Sequence, residues 1–360
     1  MFVALRDIRF AKGRFALMGA VVALLTGLVL VLYGLTGGLA SDSTSALAGL
    51  PARAVVFGGP SVSFTDCAID AGQRAAWQAA ADARPLGVSM TRLGAGGGAG
   101  GPDGGRPGGE VSSVSLVGVD PKLMPPPTSG RLPGPGQIAV GAKLAADHHL
   151  RPGDRVTLGP AVLTVSGVTP DRSWGHSPTV WTDEPTWERL DGATQPSVLL
   201  LAGPADTAAL DASRHTRTVS LDAARSGIDG YAAEQGTLTL IQGFLFAISA
   251  LVAGAFFTVW TVQRKLDIAI LKALGAGSGY LVRDALGQAL VLLLAGGALG
   301  AIAGAVLGAV LSTSGTPFTL DAATVAVPLA AMVGLGLAGA ALAVRRIVAV
   351  DPLTALGASR

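Results

Sequence analysis

Residues 263–276 read QRKLDIAILKALGA, a short charged segment between two long apolar runs. Leu266, Ile270 and Leu274 are spaced four apart and share one face of a helix, while Lys265 and Lys272, seven apart, share the opposite face. Gly275 ends such a helix, and Gly277 and Gly279 loosen the return. A helix with an apolar stripe and a cationic back, tethered at both ends to membrane-length apolar runs, belongs at a bilayer surface. There the stripe either docks into a groove on another protein or lies on lipid.

The flanks set the architecture. Four apolar runs, at about residues 17–39, 236–262, 284–312 and 322–344, each reach the ~20 helical residues that a ~30 Å hydrocarbon core demands. Arg6, Arg9, Lys12 and Arg14 precede the first run, and Arg264, Lys265, Lys272 and Arg283 separate the second from the third. Arg345, Arg346 and Arg360 follow the fourth, whereas the connection 313–321 carries only Asp321. Cytoplasmic loops hold the excess of Lys and Arg. The segment 1–16, the loop 263–283 and the tail 345–360 are therefore expected in the cytoplasm, and 40–235 outside the plasma membrane. The first run exceeds the ~7–15 apolar residues of a signal peptide and reads as a retained anchor.

Composition agrees with this topology. Half of the 360 residues are hydrophobic and 14% are charged. Nineteen of the 24 acidic residues, but only 15 of the 26 basic ones, fall in 40–235, so the net charge of +2 is a signal of orientation. The basic residues flank the spans and form no dense patch interleaved with aromatics, which argues against a nucleic-acid partner. Cys67 is the single cysteine, so no intrachain disulfide staples the outer segment and it must fold on its own core.

Within that segment the Gly-rich stretch 94–109 reads as a flexible loop, and the Pro- and Gly-rich stretch 124–136 as extended chain. Strand-like runs are expected at 54–57, 111–119, 137–140, 155–158, 162–168, 179–182 and 197–201, and helices at 70–83 and 143–149. This makes an α+β outer domain.

The run 137–168 orders an extended segment, a small helix, a Gly-Asp turn and two strands, with Leu150, Gly153 and Asp154 marking the turn. A helix leading through Leu-x-x-Gly-Asp into a strand resembles the outer domain of FtsX/MacB-type ABC transporter permeases. Residues 267–276, DIAILKALGA, are similar to the coupling helix between the second and third spans of that family, with Asp267 where Glu is usual. That exchange shortens the carboxylate by one methylene and keeps its charge. The ending, Arg345-Arg346-Ile347 through Asp351-Pro352-Leu353, also looks like the family's.

The resemblance implies an integral membrane α-helical bundle of four transmembrane helices, with an α+β, MacB-like extracytoplasmic domain between the first and second. It implies the permease subunit of an ATP-driven exporter that reshapes its outer domain mechanically. The implied partners are a cytosolic ABC ATPase, a second copy of the permease and the surrounding lipid. Arg264, Lys265, Leu266, Asp267, Ile270, Leu271, Lys272, Leu274 and Gly275 are the expected ATPase-coupling residues. The chain has no G-x-x-x-x-G-K-[ST] phosphate loop, so no catalytic residue or resident cofactor is expected on it, and ATP and Mg belong to the partner.

The opening, with Leu5-Arg6-Asp7-Ile8-Arg9 and Lys12-Gly13-Arg14-Phe15, and the junction 230–236 (GYAAEQG) look most like haem-efflux permeases of the HrtB type. That implies haem, or another hydrophobic compound, as cargo. Iron accepts His, Met, Tyr or carboxylate ligands, and Tyr231, Glu234, Asp66, Asp70 and His215 are the candidates toward the outer face. All four histidines, His148, His149, His176 and His215, fall in the outer segment, where a solvated loop position is the plain reading of each. His148 and His149 suit a helix end.

Two rival readings use the same residues differently. One is a non-transporting regulator of an extracellular cell-wall hydrolase; the other is an outer-domain hydrolase built on Ser173 and His176 of the Ser-Trp-Gly-His stretch. Gly296, Gly297, Gly300, Gly304 and Gly308 form small-residue faces in the third run, suited to packing within the chain or to a dimer seam.

Overall fold

The computed structural model describes residues 12–95, 111–263, 270, 275 and 277–348. Most of the expected coupling segment, the Gly-rich stretch from 96 to 109, the first eleven residues and the tail from 349 lie outside the described residues. The helices are α1 (Lys12–Ala48), α2 (Ala71–Ala80), α3 (Ala142–Asp147), α4 (Glu184–Asp191), α5 (Thr207–Arg214), α6 (Leu221–Ala224), α7 (Tyr231–Gln263), α8 (Ser278–Thr313) and α9 (Ala322–Val348). Of these, α1, α7, α8 and α9 are long and apolar enough to cross a membrane. The chain divides into two compact units, one of Met1–Leu39 with Gly236–Arg360 and the other of Ala40–Gln235.

In the helical unit, glycines let backbones approach where no side chain intervenes. Gly296 of α8 lies against Gly19 and Val22 of α1, Gly300 against Ala23, and Gly304 against Gly27 and Leu30. Gly297 faces Leu329 of α9, and Gly254 of α7 meets Gly339 of α9. The small-residue faces of α8 thus pack within the chain. Met18, Val22, Phe257, Ala289, Leu293, Ala340 and Ala343, drawn from all four helices, form the buried cluster between them. Gln242 of α7 donates to the Thr36 hydroxyl of α1 at 2.8 Å, satisfying both polar groups on otherwise apolar helices.

The outer unit carries the strands β1 (Ala54–Phe57), β2 (Ala83–Ala95), β3 (Val111–Val119), β4 (Ser129–Gly130), β5 (Gln137–Gly141), β6 (Arg155–Leu158), β7 (Ala161–Thr169), β8 (Ser173–Trp174), β9 (Ser177–Thr182), β10 (Val198–Leu201) and β11 (Arg217–Ser220). Pairing runs β2 to β3 to β9 to β5 to β7 to β6 and back to β2, a closed six-strand circuit. The β3/β9 and β5/β7 pairs are parallel and the others antiparallel. Closure removes the exposed edges that an open sheet would have to protect.

Every strand of the circuit contributes to one buried cluster: Leu93, Val114, Leu116, Ile138, Val140, Val156, Leu158, Val165 and Val180 are all at or near zero exposure. The first part of β2 instead pairs with β10, which carries β1 and β11 outward in an antiparallel extension. One face of that extension buries Val55, Phe57 and Leu200, and the other Val56, Leu199 and Leu201 with Trp77 of α2.

The Leu150-to-Asp154 turn has a local cause. The Asp154 carboxylate accepts from the Arg151 amide at 2.7 Å, Gly153 adopts a φ of +104°, and its amide donates to the Val165 carbonyl at 2.8 Å. A left-handed φ there suits glycine. The turn returns the chain into β6 and β7.

Candidate functional site

Five residues of sequence, Ser173-Trp174-Gly175-His176-Ser177, make a hairpin between β8 and β9, with Ser173 opposite Pro178 and Trp174 opposite Ser177. Its two-residue loop has positive φ at both positions, +54° at Gly175 and +63° at His176, as a type I′ turn requires. Trp174 is buried and meets Phe64 edge-on at 4.7 Å, and Phe64 meets Phe57 at 5.1 Å. The hairpin is thereby anchored in the core of the outer unit.

The same core receives the last turns of α1 and the approach to α7. Ala46 and Leu47 of α1 and Ile228 before α7 are buried in the cluster that holds Trp174, and Tyr231 packs against it. The Ser173 amide donates to the Ser45 hydroxyl at 2.8 Å, and the Gly175 amide donates to the Ser43 carbonyl at 2.9 Å. His176 then reaches both helices. Its Nδ1 lies 3.1 Å from Asp42 Oδ2 on α1, and its Nε2 lies 2.9 Å from Glu234 Oε2 in the first turn of α7.

Burial opposes the charged ring, but the hydrogen bonds to Glu234 and Asp42 and their charges outweigh it, so the His176 pKa is raised above its ordinary value. With a carboxylate at each ring nitrogen, neither nitrogen is free to take a proton from Ser173. The Ser-His pair therefore lacks the nucleophile-base geometry of a hydrolase.

The residues picked from sequence fall in distinct settings. Glu234 is held by His176, and Tyr231 begins α7 against the core. Asp66 accepts from the Ser63 hydroxyl at 3.0 Å in an exposed turn. Asp70 is the N-cap of α2, accepting from the Gln73 amide while the Gln73 side chain returns the bond. His215 closes α5 in a left-handed conformation, and His148 ends α3 with its ring 2.8 Å from the Ser112 hydroxyl. Among the described residues no group of three or more His, Cys, Asp and Glu side chains is arranged to hold a metal ion.

Of the expected coupling residues, Ile270 is described as half exposed and Gly275 as a turn residue with φ of +94°; the other seven lie outside the described residues. Asp42, the second carboxylate on His176, was not singled out by the sequence, because its partner is 134 positions away.

Two cavities bear on function. A space lined by Met18, Val22, Ser249, Phe256, Leu293 and Met332 of the four long helices amounts to about 20 Å³, room for about one water. In the outer unit a cleft of about 420 Å³ is lined by Arg74, Arg84, Asp120, Asp183 and Glu184 among others. The Arg74 guanidinium lies 2.7 Å from Glu184, whose carboxyl is raised above the usual carboxylate range because burial outweighs that pairing.

Comparison with known proteins places the chain. Residues 15–216, more than half of it, match the MacB-like periplasmic core domain, and residues 239–352 match the FtsX-like permease C-terminal domain. A Staphylococcus epidermidis protein with the provisional name hemin transport system permease protein HrtB is 28% identical over 64% of this chain and 66% of that protein, just under two thirds of its length. Its namesake from Staphylococcus haemolyticus is 26% identical over 99% of both chains. An uncharacterized ABC transporter permease of Mycobacterium tuberculosis is likewise 26% identical over 99% of both. Among solved structures, the extracellular domain of the noncanonic ABC-type transporter YknZ from Gram-positive bacteria matches 44% of this chain and 87% of its own at 14% identity, with a TM-score of 0.32. With four membrane-length helices and matches to both family domains, the chain belongs to the FtsX-like permeases with a MacB-like core domain and is a multi-pass ABC transporter permease.

Proposed function

We propose that the chain is the permease of an ATP-driven exporter in which a cytosolic ATPase moves α1 and α7, and their outer ends reshape the Ala40–Gln235 unit. One observation carries this reading: the β8–β9 hairpin is bonded to the last turns of α1 and to the first turn of α7, and all three share the core that holds Trp174. A displacement of either helix end must therefore strain the hairpin and the strands beyond it, because packed interiors transmit strain. The Lys and Arg distribution supports cytoplasmic termini and an external outer unit. Family membership implies the ATPase, and a second permease copy completes the assembly.

Haem is the proposed cargo, supported by the names of the staphylococcal relatives. Titrating haem into the purified complex with its ATPase tests this. The expected result is a shift in the visible absorption of haem together with a rise in ATP turnover. An unchanged spectrum with unchanged turnover rules out haem as cargo, and co-purification of a cell-wall hydrolase in its place turns the reading toward a regulator.

A further inference from the structure

We propose that His176 is a protonation-dependent pin that ties the outer ends of α1 and α7 together through the β8–β9 hairpin, and that loss of its proton frees one of the two ends. This rests on the geometry inside the outer unit and is independent of the identity of the cargo.

Three features of that geometry converge. A neutral imidazole has one N–H, whereas His176 has a carboxylate oxygen at each nitrogen, at 3.1 and 2.9 Å. Both contacts are satisfied only by the imidazolium, with Nδ1–H donating to Asp42 and Nε2–H to Glu234. In the neutral ring one nitrogen lone pair faces a carboxylate, and that contact turns from attractive to repulsive. The backbone is the second feature. His176 holds a φ of +63°, the left-handed conformation that the second position of this turn requires, and the turn aims its ring between carboxylates from two different helices.

The third feature is an asymmetry in the attachments. The hairpin is bonded to α1 by the Ser173 amide to Ser45 and the Gly175 amide to Ser43, neither of which titrates. Its side-chain bond to α7 runs through the His176 ring to Glu234.

Of the charged groups in the adjoining segments, Arg225 pairs with Asp222, Asp229 accepts from the Thr65 hydroxyl, and Arg172 donates to the Asp171 carbonyl, a contact that leaves its charge in place. The charges that bear on the ring are Glu234 from α7 and Asp42 from α1. The folded state binds the proton more tightly than the unfolded value of 6.5, so the pin is fully made below 6.5 and is lost as pH rises through the higher folded value. The ring and both carboxylates are partly open to water, so proton exchange is direct and the effect is moderate.

The test is amide hydrogen exchange on the full-length protein in lipid nanodiscs, corrected for intrinsic rates, well below and well above pH 6.5. Peptides covering 40–48, 173–180 and 231–236 report the pin. In the unmodified protein, protection of 231–236 should fall by about fivefold between the two conditions, while 40–48, bonded to the hairpin through Ser43 and Ser45, stays protected. His176→Asn, which tolerates the left-handed turn and stays neutral, should exchange at the faster rate in both. Glu234→Gln should release the 231–236 peptide while leaving 40–48 protected, which keeps the test decisive if the His176 variant fails to fold. Corrected exchange in the unmodified protein that does not change with pH overturns the proposal, as does a His176→Asn profile that tracks it.

Discussion

Phe318, in the connection between α8 and α9, lies so close to Gly34 of α1 that a β-carbon at position 34 would overlap its ring. Gly308 of α8 abuts the same ring, and the Thr319 amide donates to the Gly34 carbonyl at 3.0 Å. One aromatic side chain is thus keyed into a notch left by two glycines on different helices. Van der Waals packing of this kind, and not hydrophobic exclusion, is what holds helices together in lipid.

Replacing Gly34 by Val should therefore force the 317–319 connection off α1 and destabilise the helical unit by about 1–3 kcal/mol. Adding Phe318→Ala should recover most of that loss, since the clash goes with the ring. Thermal unfolding of the purified full-length protein in detergent measures both. An unchanged midpoint for Gly34→Val would show that the ring is free to move aside.

A second aromatic key sits in the outer unit. Trp187 of α4 is buried over Gly87 of β2 and Gly118 of β3, and its indole N–H donates to the Ser89 hydroxyl at 3.0 Å. A side chain at either glycine collides with the indole. Gly118→Val should cost about 1–3 kcal/mol by overpacking, and Trp187→Ala about 3–5 kcal/mol through the cavity it leaves. Urea unfolding followed by tryptophan fluorescence resolves these. A Gly118→Val variant as stable as the parent would contradict the tight seat.

These two keys also show where the sequence was silent. The four long helices and most strands are legible because apolar runs and alternation are local signals, and β1, β3 and β6 form at 54–57, 111–119 and 155–158 as their residues suggest. β2 is not legible. Its stretch Ala83–Ala95 contains Pro85 and Gly87, both of which weaken a strand reading, and Gly87 is there to receive a tryptophan a hundred positions away. The expected helix over 70–83 accordingly stops at Ala80, and β2 begins at Ala83. The site was half legible. Glu234 stands out beside a span, but His176 and Asp42 acquire meaning only when the hairpin and α1 are brought together.

Burial makes Glu184 a weak point at neutral pH. Its folded pKa is raised above 4.5, chiefly by desolvation, with Arg74 offsetting part of it. Between the unfolded and folded values the folded state binds more protons, so the stability of the outer unit falls as pH rises through that window. Glu184→Gln should flatten this part of the pH profile, and Arg74→Met should steepen it. Unfolding midpoints measured across the acid range decide the matter, and parallel curves for all three proteins would mean that Glu184 ionises as freely as in water.

Ile270 is the described member of the apolar stripe proposed to receive the ATPase, and it is 49% exposed, so its side chain is open to a partner. A buried isoleucine at a protein interface contributes about 1.5–3 kcal/mol by area, and a carboxylate in its place adds the cost of a desolvated charge. Ile270→Asp should thus weaken ATPase capture by on the order of 100-fold or more, while membrane insertion and the outer unit are unaffected. If the stripe merely rests on lipid, the same substitution lifts it from the bilayer but leaves the affinity for the ATPase alone. Co-purification of the ATPase, with ATP turnover read in parallel, separates the two. Full capture and full turnover with Ile270→Asp would remove the docking role and, with it, the route by which a cytosolic motor acts on α1 and α7.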